Sequence, residues 1–235
     1  MTPDQLVSQL SAALGAELRA VALYGSAAAG EHLPKKSDYN VLVIVDSLAP
    51  DRLKAVSAAV GAWVDAGQPA PLMLTSDEWK GSADIFAMEY ADILDRHKIL
   101  FGAFPSAVSV DTNYLRLQLE HEAMGAVLQL RRGALAAGND GGALLELLER
   151  GTSSVMTLFR AVTRLRGESP AKDNVALSEA VARAAGADAT PFVRVVRHRR
   201  GEVKLKKADA AAVVAGYLDG LQRLVRYLDQ FKKRT

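Results

Sequence analysis

Apolar residues follow two patterns along the chain, and the change falls near residue 107. Before it, short continuous apolar runs alternate with helical spacings; after it only helical spacings remain. Thr2-Pro3-Asp4 reads as a cap and first turn, Leu6, Leu10 and Leu14 recur at helical spacing, and Gly15 closes the segment. Arg19 to Tyr24 is a short apolar strand ended by Gly25-Ser26. Ala27, Ala28 and Ala29 suit a helical turn that Gly30 stops, and Glu31 to Ser37 reads as an exposed loop. Asp38 to Val45 is a second strand, whose unbroken Val/Leu/Ile run predicts burial on both faces. Pro50-Asp51 opens a helix with Leu53, Val56, Val60 and Trp63 on its apolar side, and Gly67-Gln68-Pro69 ends it. A strand over Ala70 to Leu74 follows. Thr75 and Glu78 then have capping-box spacing, a helix is expected over Ala87 to Asp95, and a last strand over Lys98 to Phe101.

Strand and helix in alternation predict an α/β (α+β) mixed sheet with flanking helices over residues 1–107. From Asp111 onward no strand is expected. One helical stripe runs through Leu117, His121, Met124, Leu128 and Leu135, a second through Val155, Leu158, Val162 and Leu165, and a third through Val214, Leu218, Leu221, Val225 and Leu228. Asn139 to Gly142, Gly167 to Pro170 and Gly186 to Pro191 separate them as loops. Residues 108–235 are therefore expected to be an all-α helical bundle, with a ligand cleft between the two domains.

Composition narrows the chemistry. A formal charge of +2 does not by itself announce a nucleic acid partner, and the absence of cysteine excludes disulfides, thiolate metal ligands and a cysteine nucleophile. No apolar run reaches the length needed to span a bilayer, and MTPDQLVSQL lacks the basic flank and apolar core of a signal peptide. A cytoplasmic protein without membrane association is expected.

The candidate chemistry lies between Leu23 and Asp46. A glycine after a strand lets the backbone turn and a phosphate approach bare N–H groups, and Ser26 adds a hydroxyl. Asp38 and Asn40, two apart, are expected to project from one face of the next strand, where hard oxygen ligands can hold Mg²⁺ against a triphosphate. The blander readings are a plain strand-to-helix turn at Gly25-Ser26 and an Asx-turn joining Asp38 to Asn40. Lys35 and Lys36 precede Asp38 and either meet phosphate or stay in solvent.

Gly25-Ser26, a loop and then SDYNVLVIV resembles the signature of the nucleotidyltransferase superfamily, the group that contains DNA polymerase β and kanamycin nucleotidyltransferase. The resemblance implies that Gly25 and Ser26 bind the nucleotide phosphates. It further implies that Asp38 is a Mg²⁺ ligand, that Asn40 occupies the second ligand position, and that ATP or another NTP is the ligand or substrate. This chain departs from the pattern at Asn40, a neutral amide where the superfamily has its second acid, and Ala70 to Thr75 supplies no third. A neutral amide brings one carbonyl oxygen and no charge, so two-metal catalysis is expected to be impaired. Three readings follow. The chain is a pseudoenzyme that binds Mg-nucleotide at Asp38 and Asn40. Alternatively it is an active transferase, passing a nucleoside monophosphate to a hydroxyl of a small molecule or protein with a surrogate acid among Asp77, Glu78, Asp84 and Glu89. In the third it is an interaction module with a vestigial pocket. The oligomeric state is left open.

Elsewhere structural roles are expected. His121 reads as a satisfied bundle residue and His97 as a cation at a helix end; Trp63 reads as core, and Trp79 as packing in preference to ligand stacking. The basic run through Arg194, Arg197, Arg199, Arg200, Lys204, Lys206 and Lys207 reads first as a solvated helix end, with a phosphate-rich partner as the sharper option.

Overall fold

A computed structural model describes residues 1–25, 27, 28, 30 and 38–231. They form two compact units, Met1–Asp111 and Thr112–Thr235. In the first, β1 (Leu18–Tyr24), β2 (Asn40–Val45), β3 (Leu72–Thr75) and β4 (His97–Gly102) make a sheet of order β3-β2-β1-β4. β1 runs antiparallel to both neighbours and β2 parallel to β3. The sheet is thus mixed, and its central pair, β1 and β2, is the most apolar part of the sequence, as burial on both faces requires.

Side-chain alternation splits the sheet into two faces. Val21, Leu23, Val41, Val43 and Val45 pack with Leu6, Leu10 and Leu14 of α1 (Pro3–Leu14) and with Val56, Ala59 and Trp63 of α2 (Pro50–Asp65). Ala20, Leu42 and Ile44 face the other way, against Trp79 of α3 (Ser76–Gly81) and Tyr90 and Ile93 of α4 (Ala87–Asp95). Both expected capping devices are present. Thr2 and Gln5 start α1, and Thr75 and Glu78 start α3, each satisfying two orphan N–H groups reciprocally. Trp63 and Trp79 are fully buried. Trp79 stacks on Tyr90 with ring centroids 4.6 Å apart, so it is a packing residue.

Several boundaries move. The second strand begins at Asn40 rather than Asp38, and the third at Leu72 rather than Ala70, because pairing with β1 and β2 sets the ends where apolar content alone does not. Leu53, expected on the apolar side of α2, is exposed.

The second unit contains α5 (Thr112–Ala137), α6 (Gly141–Leu165), α7 (Asn174–Ala184), α8 (Thr190–Arg200) and α9 (Ala210–Asp229), and no strand among the described residues. α6 starts at Gly141, so two residues read as loop are helical; Asp140 caps them by accepting from the N–H groups of Gly142 and Ala143. Hydrogen bonding to these N–H groups holds the Asp140 carboxyl below the ordinary carboxylate range. The stripe through Val155, Leu158, Val162 and Leu165 is buried, as are Val214, Leu221, Val225 and Leu228, while Leu218 is half-buried.

The first stripe is a correction. α5 packs on α6 and α9 through Leu115, Leu119, Ala123, Val127 and Leu130, whereas Leu117, His121, Met124, Leu128 and Leu135 face solvent. His121 is therefore not a buried bundle residue; its nearest ionic partner is Glu122, its neighbour in sequence.

Candidate functional site

The site is built at the ends of β1 and β2. Tyr24, the last residue of β1, lies opposite Asn40, the first of β2. Gly25 follows with φ +73°, a left-handed conformation that L side chains rarely adopt. A Cβ there would come 3.3 Å from Asn40 Nδ2, so the Asn40 amide lies close over a bare Cα. The Gly25 N–H donates to the Arg96 carbonyl at 3.1 Å, which ties the turn to the junction between α4 and β4. The Gly25 amide is thus already engaged, and its bare Cα is what lets the Asn40 side chain lie so close.

Tyr39 fixes the approach to β2. Its N–H donates to Gln68 Oε1 at 2.9 Å, and its ring lies 6.2 Å from that of Trp63, on the α1/α2 side. Asp38, just before the strand, is exposed. The structure thus brings Gly25, Asp38 and Asn40 to one end of the sheet. Ser26, Lys35 and Lys36 lie outside the described residues.

Of the carboxylates expected to reach this end, one is occupied elsewhere and three are exposed. Glu78 accepts from the Thr75 N–H at 2.7 Å as part of the capping box, and Asp77 and Asp84 are exposed. Glu89 differs. It sits in the first turn of α4, the helix that packs on the face carrying Tyr24, Leu42 and Ile44. The Tyr24 hydroxyl is held above its ordinary pKa first by burial, then by the negative charges of Glu89 and Asp92. These two acids, one helical turn apart, therefore bear on the residue that lies across from Asn40. Asp92 and Tyr24 escape sequence reasoning because their approach depends on how α4 packs; acids three apart beside a strand-end tyrosine are the only trace of it.

The donors suit one hard cation brought in with its phosphates. Asp38 supplies a carboxylate and Asn40 a carbonyl oxygen, and Mg²⁺ keeps waters and phosphate oxygens in the rest of its shell. Among the described residues no group of three or more His, Asp or Glu side chains is arranged to hold a metal ion.

The remaining candidates have structural partners. His97 Nδ1 lies 2.8 Å from the Ile93 carbonyl, at the start of β4. In the basic run, Arg194 pairs with Asp209, Arg200 with Asp173, and Arg197 at 4.0 Å with Glu202, while His198 Nε2 lies 2.9 Å from Glu149. Among the described residues no helix is long and apolar enough to cross a membrane.

A mixed four-stranded sheet with helices on both faces, followed by a helical unit, is the nucleotidyltransferase fold. The chain is similar in structure to the spectinomycin adenyltransferase AAD(9) from Enterococcus faecialis, whose crystal structure contains ATP and spectinomycin. The TM-score is 0.60 at 13% identity, over 98% of this chain and 100% of that one. No family model and no curated protein matches the sequence. At that identity the likeness shows the fold.

Proposed function

We propose that this protein binds a Mg-nucleotide at the ends of β1 and β2, with transferase activity impaired by Asn40. The observation that carries the reading is the left-handed Gly25 pressed against Asn40, with Asp38 two residues away. Asp38 holds Mg²⁺, Asn40 offers it a carbonyl oxygen or bonds a phosphate, and Gly25, Ser26, Lys35 and Lys36 receive the phosphate chain. Bound there, Mg²⁺ would screen the triphosphate charge. The likeness to a protein crystallised with ATP makes an adenine nucleotide the first ligand to try. Among cellular settings a cytoplasmic one agrees with nucleotide supply.

A second reading has one specific support. Glu89 bears on Tyr24 across from Asn40, so α4 offers a carboxylate that could serve as the surrogate acid of an active enzyme. In that case Glu89 accepts the proton of an acceptor hydroxyl on a small molecule or protein, and pyrophosphate leaves.

Calorimetry with ATP in the presence of Mg²⁺ tests both. Wild type binds, Asp38→Ala binds at least about tenfold more weakly, and Asn40→Asp tightens the Mg²⁺ dependence by about tenfold, because ligand charge sets affinity for hard cations. Absence of nucleotide binding by folded wild type would leave the interaction module with a vestigial pocket. Pyrophosphate release that Glu89→Gln abolishes, with ATP binding intact, would establish the active enzyme.

A further inference from the structure

We propose that the helical unit carries a ligand site of its own, between α7 and α8, which binds a free α-amino acid with an apolar side chain. A pocket of about 280 Å³ opens there, lined by Glu179 of α7, by Thr190, Val193, Arg194 and Arg197 of α8, and by Val203 from the segment that follows. Pockets for drug-sized molecules begin at about 300 Å³, so this one suits a compact ligand.

The sequence of α8 builds the pocket. Thr190, Val193, Arg194 and Arg197 recur three, four and seven residues apart and so share one side of the helix. Phe192, Val195 and Val196, on its other side, are buried in the bundle. Gly201, at φ +79°, then reverses the chain, and the Glu202 N–H donates to the Arg197 carbonyl at 3.0 Å. This turn brings Val203 back to the pocket, where its carbonyl lies 3.1 Å from His198 Nδ1. The Val203 side chain is 45% exposed, an apolar surface on the wall of a charged pocket.

The cations of α8 divide by how firmly they are engaged. Arg199 donates to Ser153 at 2.9 Å and Arg200 to Asp173 at 2.6 Å. Arg194 reaches Asp209 only at 3.5 Å, and Arg197 stands 4.0 Å from Glu202, beyond hydrogen-bond reach. The two loosely engaged guanidiniums are the two that line the pocket. Glu179 lines it with them, yet comes within 4.0 Å of neither. A carboxylate and two guanidiniums around one space, unpaired with each other, fit a molecule that bears both charges. Its carboxylate takes the free donors of Arg194 and Arg197, its ammonium meets Glu179, and its side chain lies on Val193 and Val203. A dianionic phosphate would be repelled by Glu179 and a simple amine by the arginines, and a hydrocarbon would strip water from three charges without pairing them. The site uses none of the residues assigned to the nucleotide.

Calorimetry of the full chain with L-leucine, in the absence of nucleotide, tests this. Leucine should bind saturably. Isocaproate, which is leucine without its ammonium, and isoamylamine, which lacks the carboxylate, should each bind at least about tenfold more weakly, because each forfeits a charge-assisted contact. Arg197→Gln should weaken leucine at least about tenfold for the same reason. Glu179→Gln should abolish leucine's advantage over isocaproate, a change that a merely structural role would not produce. Both side chains are exposed, so circular dichroism and melting temperature without ligand should match wild type. Failure of wild type to bind leucine, valine or methionine at concentrations up to about 10 mM overturns the proposal. So does isocaproate binding as tightly as leucine, or leucine binding that is indifferent to Arg197→Gln.

Discussion

The two faces of the sheet are built from the same strands and do different work. On one, α1 and α2 close over Val21, Leu23, Val41, Val43 and Val45 with an apolar layer that includes the fully buried Trp63. On the other, α3 and α4 close over Ala20, Leu42 and Ile44, but the layer ends in polar residues: Tyr24 and Asn40, with Glu89 and Asp92 bearing on Tyr24. A side chain's face follows from alternation along the strand, so position 40 belongs with 42 and 44 while Tyr39 belongs with Val41. The comparison teaches that a fully apolar layer stabilises the unit, and that the site occupies the layer left polar at one end.

Breaking the apolar face should give the largest effect. Trp63→Ala removes a fully buried indole and its hydrogen bond to the Pro69 carbonyl, and should cost about 3–5 kcal/mol by denaturant titration. Gly25→Ala comes next. It forces a side chain into φ +73° and against Asn40 Nδ2, at about 1–3 kcal/mol, and nucleotide binding should weaken with it.

A pH effect on the polar-ended face follows in size. Burial pushes the Tyr90 hydroxyl up to about 12, above the value of about 10 it has when unfolded. The folded chain therefore keeps this proton where the unfolded chain has lost it. The contribution is fully present below pH 10 and disappears as pH rises from there through about 12. Tyr90→Phe should flatten this alkaline fall in a stability-versus-pH series. The smallest effect sharpens the comparison most. Glu89→Gln removes one negative charge bearing on Tyr24, so the Tyr24 titration, followed by tyrosinate absorbance, should move down towards its ordinary range. An unmoved titration would mean that α4 does not present Glu89 to the strand ends.

Much of this was legible in the sequence where burial is two-sided. The unbroken run from Val41 to Val45 has one reading, and the Thr75 to Glu78 box states its own hydrogen bonds. Gly25, Asp38 and Asn40 could be placed together because strand, turn and strand leave little freedom. The helical unit was harder. α5 is apolar on two sides, and periodicity reports that a side exists without saying which one meets α6 and α9; the stripe through Leu117 and Leu135 reads as bundle-facing for that reason, yet faces solvent. Nor could sequence show that the Gly25 N–H is engaged by Arg96, or that Glu89 bears on Tyr24. Both depend on where α4 lies, and local propensity does not determine that.

The chain carries two tryptophans, and the fold puts one in each layer: Trp63 beneath α2, Trp79 stacked on Tyr90 beneath α3 and α4. Each face therefore has its own intrinsic fluorophore. With Trp79→Phe only the apolar layer emits, and with Trp63→Phe only the layer that ends in the proposed nucleotide site. Two optical channels in an otherwise unlabelled protein then resolve which side of the sheet loosens first on heating, and whether either registers added ATP.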